Sequence, residues 1–209
     1  MDLYQFQMDI HQNACDHGWW EGKRTGDEIV ALIHSEWSEA LEEYRAGRPM
    51  LWHDCADMEE AHFEGCGKNR ICTLNFPCAY RKKKPEGIAV ELIDGCIRIL
   101  DYLGMLELRI TDIETVEELI AAAPALDYPN ISLPPLIANL HLQISEAYKM
   151  LGEGSGNDEA RKQAYLLMYR TVAIACAWIK GQGFDPEAIM MEKHQYNRTR
   201  PYKHGGKAI

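Results

Sequence analysis

The chain has 209 residues, 46% of them hydrophobic and 26% charged, which is globular composition and excludes disorder along its whole length. Lys plus Arg is 22 against Asp plus Glu 32, a formal charge of −10, which disfavours duplex nucleic acid as a partner. The apolar run at 172–179 falls far short of the roughly 20 residues a spanning helix needs, so no membrane partner is expected.

The start, Met1-Asp2-Leu3-Tyr4-Gln5, has no basic region ahead of an apolar one, so the expected location is cytoplasmic. In that compartment the seven cysteines read as thiols or metal ligands rather than disulfides.

Helical periodicity dominates, and no run of alternating residues predicts a strand. A first helix is expected over 3–17, closed by Gly18-Trp19-Trp20-Glu21-Gly22. Thr25-Gly26-Asp27-Glu28 is a capping box that opens a second helix, which Gly47 and Pro49 stop. Residues 47–84 break the pattern with four cysteines, Gly65, Gly67, Pro77 and the run Arg81-Lys82-Lys83-Lys84, and read as an insertion. Periodicity resumes after Pro85 and ends at Gly104. A second box, Thr111-Asp112-Ile113-Glu114, is expected to open a short helix that stops before Pro124. Pro129, Pro134 and Pro135 mark a linker, followed by helices near 136–151, 157–181 and 186–197 and an irregular basic tail.

The expected fold class is all-α. The expected organisation is a first helical module over 1–123 with its insertion at about 47–84, a linker over 124–135, and a second module over 136–209. A faint repeat supports this division: His34-Ser35-Glu36-Trp37-Ser38-Glu39-Ala40 is similar to His141-Leu142-Gln143-Ile144-Ser145-Glu146-Ala147. Duplication and chance likeness of two amphipathic helices both account for it.

Two acidic pairs carry the chemistry. Glu36 and Glu39 are three apart on the second helix, and Glu91 and Asp94 are three apart on the third. Residues at i and i+3 share a helix face, so two packed helices would direct four carboxylates to one point. Both pairs adjoin apolar stripes, and acids at the edge of a core need partners. Divalent cations with oxygen ligands, Mg²⁺ foremost, supply the compensation. Solvated acids on exposed faces are the alternative.

The stretch 32–45 around Glu36-Trp37-Ser38-Glu39 resembles the first signature helix of MazG-like proteins, of the all-α nucleoside triphosphate pyrophosphohydrolase superfamily. The stretch 87–101 around Glu91-Leu92-Ile93-Asp94 resembles the second. The closing stretch 192–207, with Lys193, Asn197 and Arg200-Pro201-Tyr202-Lys203, is similar to the family's C-terminal segment. The resemblance implies a MazG-like helical bundle that hydrolyses a nucleoside triphosphate to the monophosphate and pyrophosphate, for nucleotide-pool control. Glu36, Glu39, Glu91 and Asp94 are the implied catalytic residues and ligands of Mg²⁺, with Mn²⁺ as a substitute. Lys193, Asn197, Arg200 and Lys203 are the implied nucleotide or phosphate contacts.

The chain departs from the family in the long separation of its acidic pairs and in the late position of its Lys/Asn/Arg segment. Both fit a fused, degenerate second module, as in single-chain relatives of dimeric dUTPases. No acidic pair stands at the corresponding place near 170–173, so the first half is expected to supply the metal ligands. A homo-oligomer, as a dimer, is the expected assembly. The alternatives to the enzyme are a catalytically weak nucleotide sensor and a metal-stabilised interaction protein of the same fold. Cys55, Cys66, Cys72 and Cys78, near His53 and His62, are candidate zinc ligands, with free thiols as the alternative because no C-x-x-C knuckle is present. The tail, basic and rich in glycine, is expected to order over bound phosphates.

Overall fold

The computed structural model of the protein describes residues 2–22, 24–54, 71–72, 84–110, 113–122, 130–153 and 157–206. Helices α1 (Leu3–Asp16), α2 (Gly26–Arg45), α3 (Ile88–Met105), α4 (Val116–Ala121), α5 (Leu133–Glu153), α6 (Asp158–Gly181), α7 (Pro186–Arg198) and α8 (Lys203–Gly206) form the body. The fold class is all-α, as the periodicity predicts. Among the described residues no helix is long and apolar enough to cross a membrane.

Local chemistry sets the boundaries. Asp2 caps α1 by accepting from the Gln5 amide. Thr25 and Glu28 close the predicted box on α2, each satisfying the other's backbone donor. Asn157 and Asp185 cap α6 and α7, and Pro186 occupies the first turn of α7, where its missing donor costs nothing.

Three expectations are corrected. The short helix α4 begins at Thr115, whose box partner is Glu118, rather than at Thr111; Thr111 and Asp112 lie outside the described residues. The sequence offers both pairs at the same spacing, and the later one is used. Pro134 and Pro135 belong to the first turn of α5 instead of a linker, because the first-turn amides have no intrahelical acceptor to lose. Strands exist: β1 (Trp52–Asp54), β2 (Ile71–Cys72) and β3 (Pro85–Glu86) form an antiparallel sheet in the order β2-β1-β3, with His53 opposite both Cys72 and Pro85. Two or three residues are too few for alternation to register. The sheet joins the two ends of the insertion close to α3.

Helix α3 is the centre. It is apolar nearly all round, with 14 of its 18 residues buried, as expected of a helix enclosed by others. It packs on α1, α2, α6 and α7. Gly95 makes the closest of these approaches: a Cβ there would lie 2.1 Å from the indole nitrogen of Trp37, so only glycine lets the Trp37 ring lie against the α3 backbone. Trp37 is itself fully buried and donates to the Leu92 carbonyl at 3.4 Å. This contact brings Glu36, one residue before Trp37, to the side of α3 that bears Glu91 and Asp94.

Helix α5 packs on α2 and on α6, and one apolar core runs from Leu3 through Met190. Where the halves meet, like residues meet. His34 Nδ1 lies 2.5 Å from His141 Nδ1, and the Cys96 and Cys176 side chains share a hydrogen bond in the buried core. These contacts place the two similar heptapeptides opposite each other.

Candidate metal centre

Glu36, Glu91 and Asp94 each bring one carboxylate oxygen to within 4.8 Å of the others. They sit in a cleft of about 250 Å³ between α1, α2, α3 and α7. Each helix holds its acid there because its opposite face is locked in the core: Ile33, Trp37 and Ala40 on α2, and Leu92, Ile93 and Cys96 on α3, are fully buried. Glu39, the fourth predicted ligand, lines the same cleft but is exposed at its rim and stands outside the tight group. Its carboxylate accepts from the Ser35 hydroxyl at 3.4 Å.

The three clustered acids are compensated unequally. Glu36 Oε1 takes both Nε and a terminal nitrogen of Arg98, at 3.1 and 3.0 Å. Asp94 Oδ2 lies 2.6 Å from Lys193 Nζ. That Lys193 contact is one of charge rather than an aligned hydrogen bond, since Nζ is otherwise buried with no well-oriented acceptor. Glu91 has no salt bridge among the described residues although it is only 4% exposed. Burial and the neighbouring Asp94 charge push its carboxyl up to about 8, against partial relief from Lys193 and Lys84. Burial and Asp94 also raise Glu36, with Arg98 opposing. Glu91 is therefore the acid that positive charge compensates least.

The donor set is all oxygen, which suits a hard divalent cation. A second sign that something belongs in the cleft is Asn197 Oδ1, which is buried without a hydrogen-bond partner.

Of the predicted phosphate contacts, Lys193, Asn197 and Arg200 line the cleft. Lys193 is 1% exposed and occupied by Asp94, so it neutralises an acid before it can meet a phosphate. Arg200 is held at the mouth, where its carbonyl accepts from, or faces, His17 Nε2 at 2.9 Å. Lys203 lies outside the lining: Nζ faces Glu21 at 3.6 Å, and its amide donates to the His17 carbonyl. The tail through residue 206 is docked on the turn after α1, with the Tyr202 hydroxyl donating to Glu21. Cys55, Cys66 and Cys78, with His62, lie outside the described residues, and Cys72 enters only through its place in β2.

Sequence reasoning missed two contributors, Arg98 and the role of His53, whereas the basic run that ends at Lys84 is a candidate triphosphate contact from the sequence. Arg98 stands four residues after Asp94 on the same face of α3, and that spacing could have placed it beside the acids. Lys84, last of the basic run, lines the cleft and pairs with Glu86 at 2.8 Å; Arg81, Lys82 and Lys83 lie outside the described residues. His53, buried in β1, bonds to Glu192 Oε1 at 2.8 Å and fastens the sheet to α7. No local signal links residues 139 positions apart.

Five and two residues before Cys96 stand Glu91 and Asp94; five and two before Cys176 stand Thr171 and Ile174. Opposite Glu36 in the repeat stands Gln143, buried, its amide donating to Asn139 Oδ1 at 2.5 Å. The second half thus has the helices without the acids. No protein-family model, curated protein or solved structure matches this chain.

Proposed function

We propose that the chain is a Mg²⁺-dependent hydrolase of a nucleoside triphosphate, releasing pyrophosphate and the monophosphate. The observation that carries the proposal is the convergence of Glu36, Glu91 and Asp94 within 4.8 Å in one cleft, with Glu91 left without an ion pair among the described residues. These three residues would hold the ion. A bound divalent ion supplies charge neutralisation for phosphate oxygens and activation of water.

The chain's own groups perform the rest. Arg98 and Lys193 hold Glu36 and Asp94 in place, so the acids meet a cation already oriented. Burial and the Asp94 charge push the Glu91 carboxyl up to about 8, a shift that a bound cation would oppose. Glu39, exposed at the rim with no ion pair among the described residues, would accept a proton from water. Lys84 and Arg200 face the cleft from two sides and supply positive charge to a polyphosphate, while Asn197 offers an unspent buried oxygen. Positioning and electrostatics of this kind account for most catalysis of phosphoryl chemistry.

The experiment is pyrophosphate release from a panel of canonical and modified nucleoside triphosphates, with Mg²⁺ and with chelator. Turnover of at least one member, lost with chelator and lost in Glu91→Gln, is expected. Tight nucleotide binding with no turnover across the panel would make the protein a sensor and refute hydrolysis.

A further inference from the structure

Beside the acidic cleft, whose lining Asp101 shares, α1 and α3 build a second constellation that the proposed hydrolysis does not use. Cys15 Sγ lies 3.5 Å from His11 Nε2, one helical turn away on α1. His11 Nδ1 lies 2.9 Å from Asp101 Oδ1 on α3. The same Asp101 oxygen accepts from the Trp20 indole at 2.8 Å. A carboxylate only accepts, so the proton of His11 sits on Nδ1 and the bare lone pair of Nε2 faces the thiol. Nucleophile, base and orienting carboxylate are therefore in line, in the order that covalent catalysis requires.

The imidazole is held rather than resting by chance. Trp20 packs edge-on against it, with ring centroids 5.2 Å apart. Gly104 clears its path: a Cβ there would lie 2.8 Å from the His11 Cβ and would push α1 away from Asp101. Asp101 is 6% exposed and has two donors on one oxygen, so its orientation is fixed. Cys15 is half-buried, whereas Cys96 and Cys176 are fully buried.

We propose that Cys15, His11 and Asp101 form a reactive-thiol site that takes a low-molecular-weight disulfide. Sγ of Cys15 attacks one sulfur of the disulfide. The new S–S bond forms as the old one breaks, and the thiol proton passes to His11 Nε2 and then to the departing thiolate. Cys15 ends as a mixed disulfide, and one half of the reagent leaves as a thiol, so the reagent itself is the oxidant. Asp101 is a positioning residue: it holds the tautomer and stabilises the imidazolium formed in passing. Exchange of this kind needs a nucleophile, a base and access, and no oxyanion hole. Burial and the charges of Asp101 and Asp16 push the Cys15 thiol up, so the resting group is S–H and depends on the base. Among the described residues no second accessible thiol stands nearby to resolve the adduct. The proposal is independent of nucleotide hydrolysis.

The test treats the intact chain with dipyridyl disulfide over a range of pH and follows the Cys15 peptide by mass spectrometry, which separates it from the other cysteines. Base assistance predicts that modification of Cys15 is already fast at neutral pH, below the range in which its raised thiol ionises by itself. At neutral pH, His11→Gln and Asp101→Asn should slow it at least about tenfold, with helical circular dichroism retained. A Cys15 rate that rises only at alkaline pH, as the thiol itself ionises, would overturn the proposal. So would an unmodified Cys15, or an unchanged rate in a folded His11→Gln variant. The profile of the unaltered protein decides the matter even where a variant does not fold.

Discussion

The α2/α3 pair and the α5/α6 pair are built alike and charged differently. Both place a Ser-Glu-Ala sequence one turn beyond a histidine, and the two histidines and two core cysteines touch across the junction. The first pair buries three carboxylates at one point; the second sets Gln143, Thr171 and Ile174 at the corresponding positions. Gln143 donates to Asn139 but leaves its Oε1 buried without a partner, Thr171 donates to the Leu167 carbonyl at 2.7 Å, and Ile174 is fully buried among apolar groups. Packing two helices in this way therefore requires no acid. A cluster of partly uncompensated carboxylates destabilises the half that holds it. The comparison teaches that the acids are an addition to the packing, which is what the proposed cation site requires.

The largest expected effect breaks the asymmetry at its most exposed debt. Glu91→Gln should lower Mg²⁺-dependent pyrophosphate release by about 10³-fold, the scale of several kcal/mol that a metal contributes to a charged transition state. It should leave the helices folded, because Glu91 has no salt bridge to abandon. Asp94→Asn should also remove activity, but it strands Lys193 as a buried charge and should cost about 3–5 kcal/mol of stability in denaturant titration. Unaltered stability in that variant would mean that the Lys193–Asp94 pair contributes less than the geometry indicates.

The next contrast sets one half directly against the other. Glu36→Gln should weaken Mn²⁺ affinity by about 10–100-fold in calorimetry. Glu146→Gln, an exposed change in the second half, should leave it unaltered, and equal losses would dissolve the asymmetry. A smaller effect concerns pH. The Glu91 carboxyl is raised from an ordinary 4.5 to about 8, so the unfolded chain ionises first. Stability of the metal-free protein should therefore fall as pH rises from about 4.5 to about 8. Glu91→Gln should flatten that slope in thermal unfolding, and added Mg²⁺ should oppose it in the unaltered protein. The smallest effect is at the mouth: Arg200→Ala should raise KM for the triphosphate several-fold with little change in kcat, as expected of a contact made equally to bound substrate and transition state.

Much of this was legible before the fold. The capping box at Thr25 and the apolar spacing of α2 and α3 are local properties, and they put Glu36, Glu91 and Asp94 on faces that could meet. The short sheet was not legible because two-residue strands leave no period. The start of α5 was misread because prolines signal both linkers and first turns. Lys193 was expected to hold phosphate, yet its ion pair with Asp94 spans 99 residues and depends on how α7 lies against α3. The rim position of Glu39 has the same origin: spacing along α2 gives its face, and only the crossing of α2 with α3 at Gly95 decides which of two acids goes deep.

Anomalous diffraction from crystals grown with Mn²⁺ tests the central claim most directly. The account predicts a peak bounded by Glu36, Glu91 and Asp94, and none beside Gln143 and Thr171. A protein that binds no ion between those three acids, or binds one as readily in the second half, would contradict it.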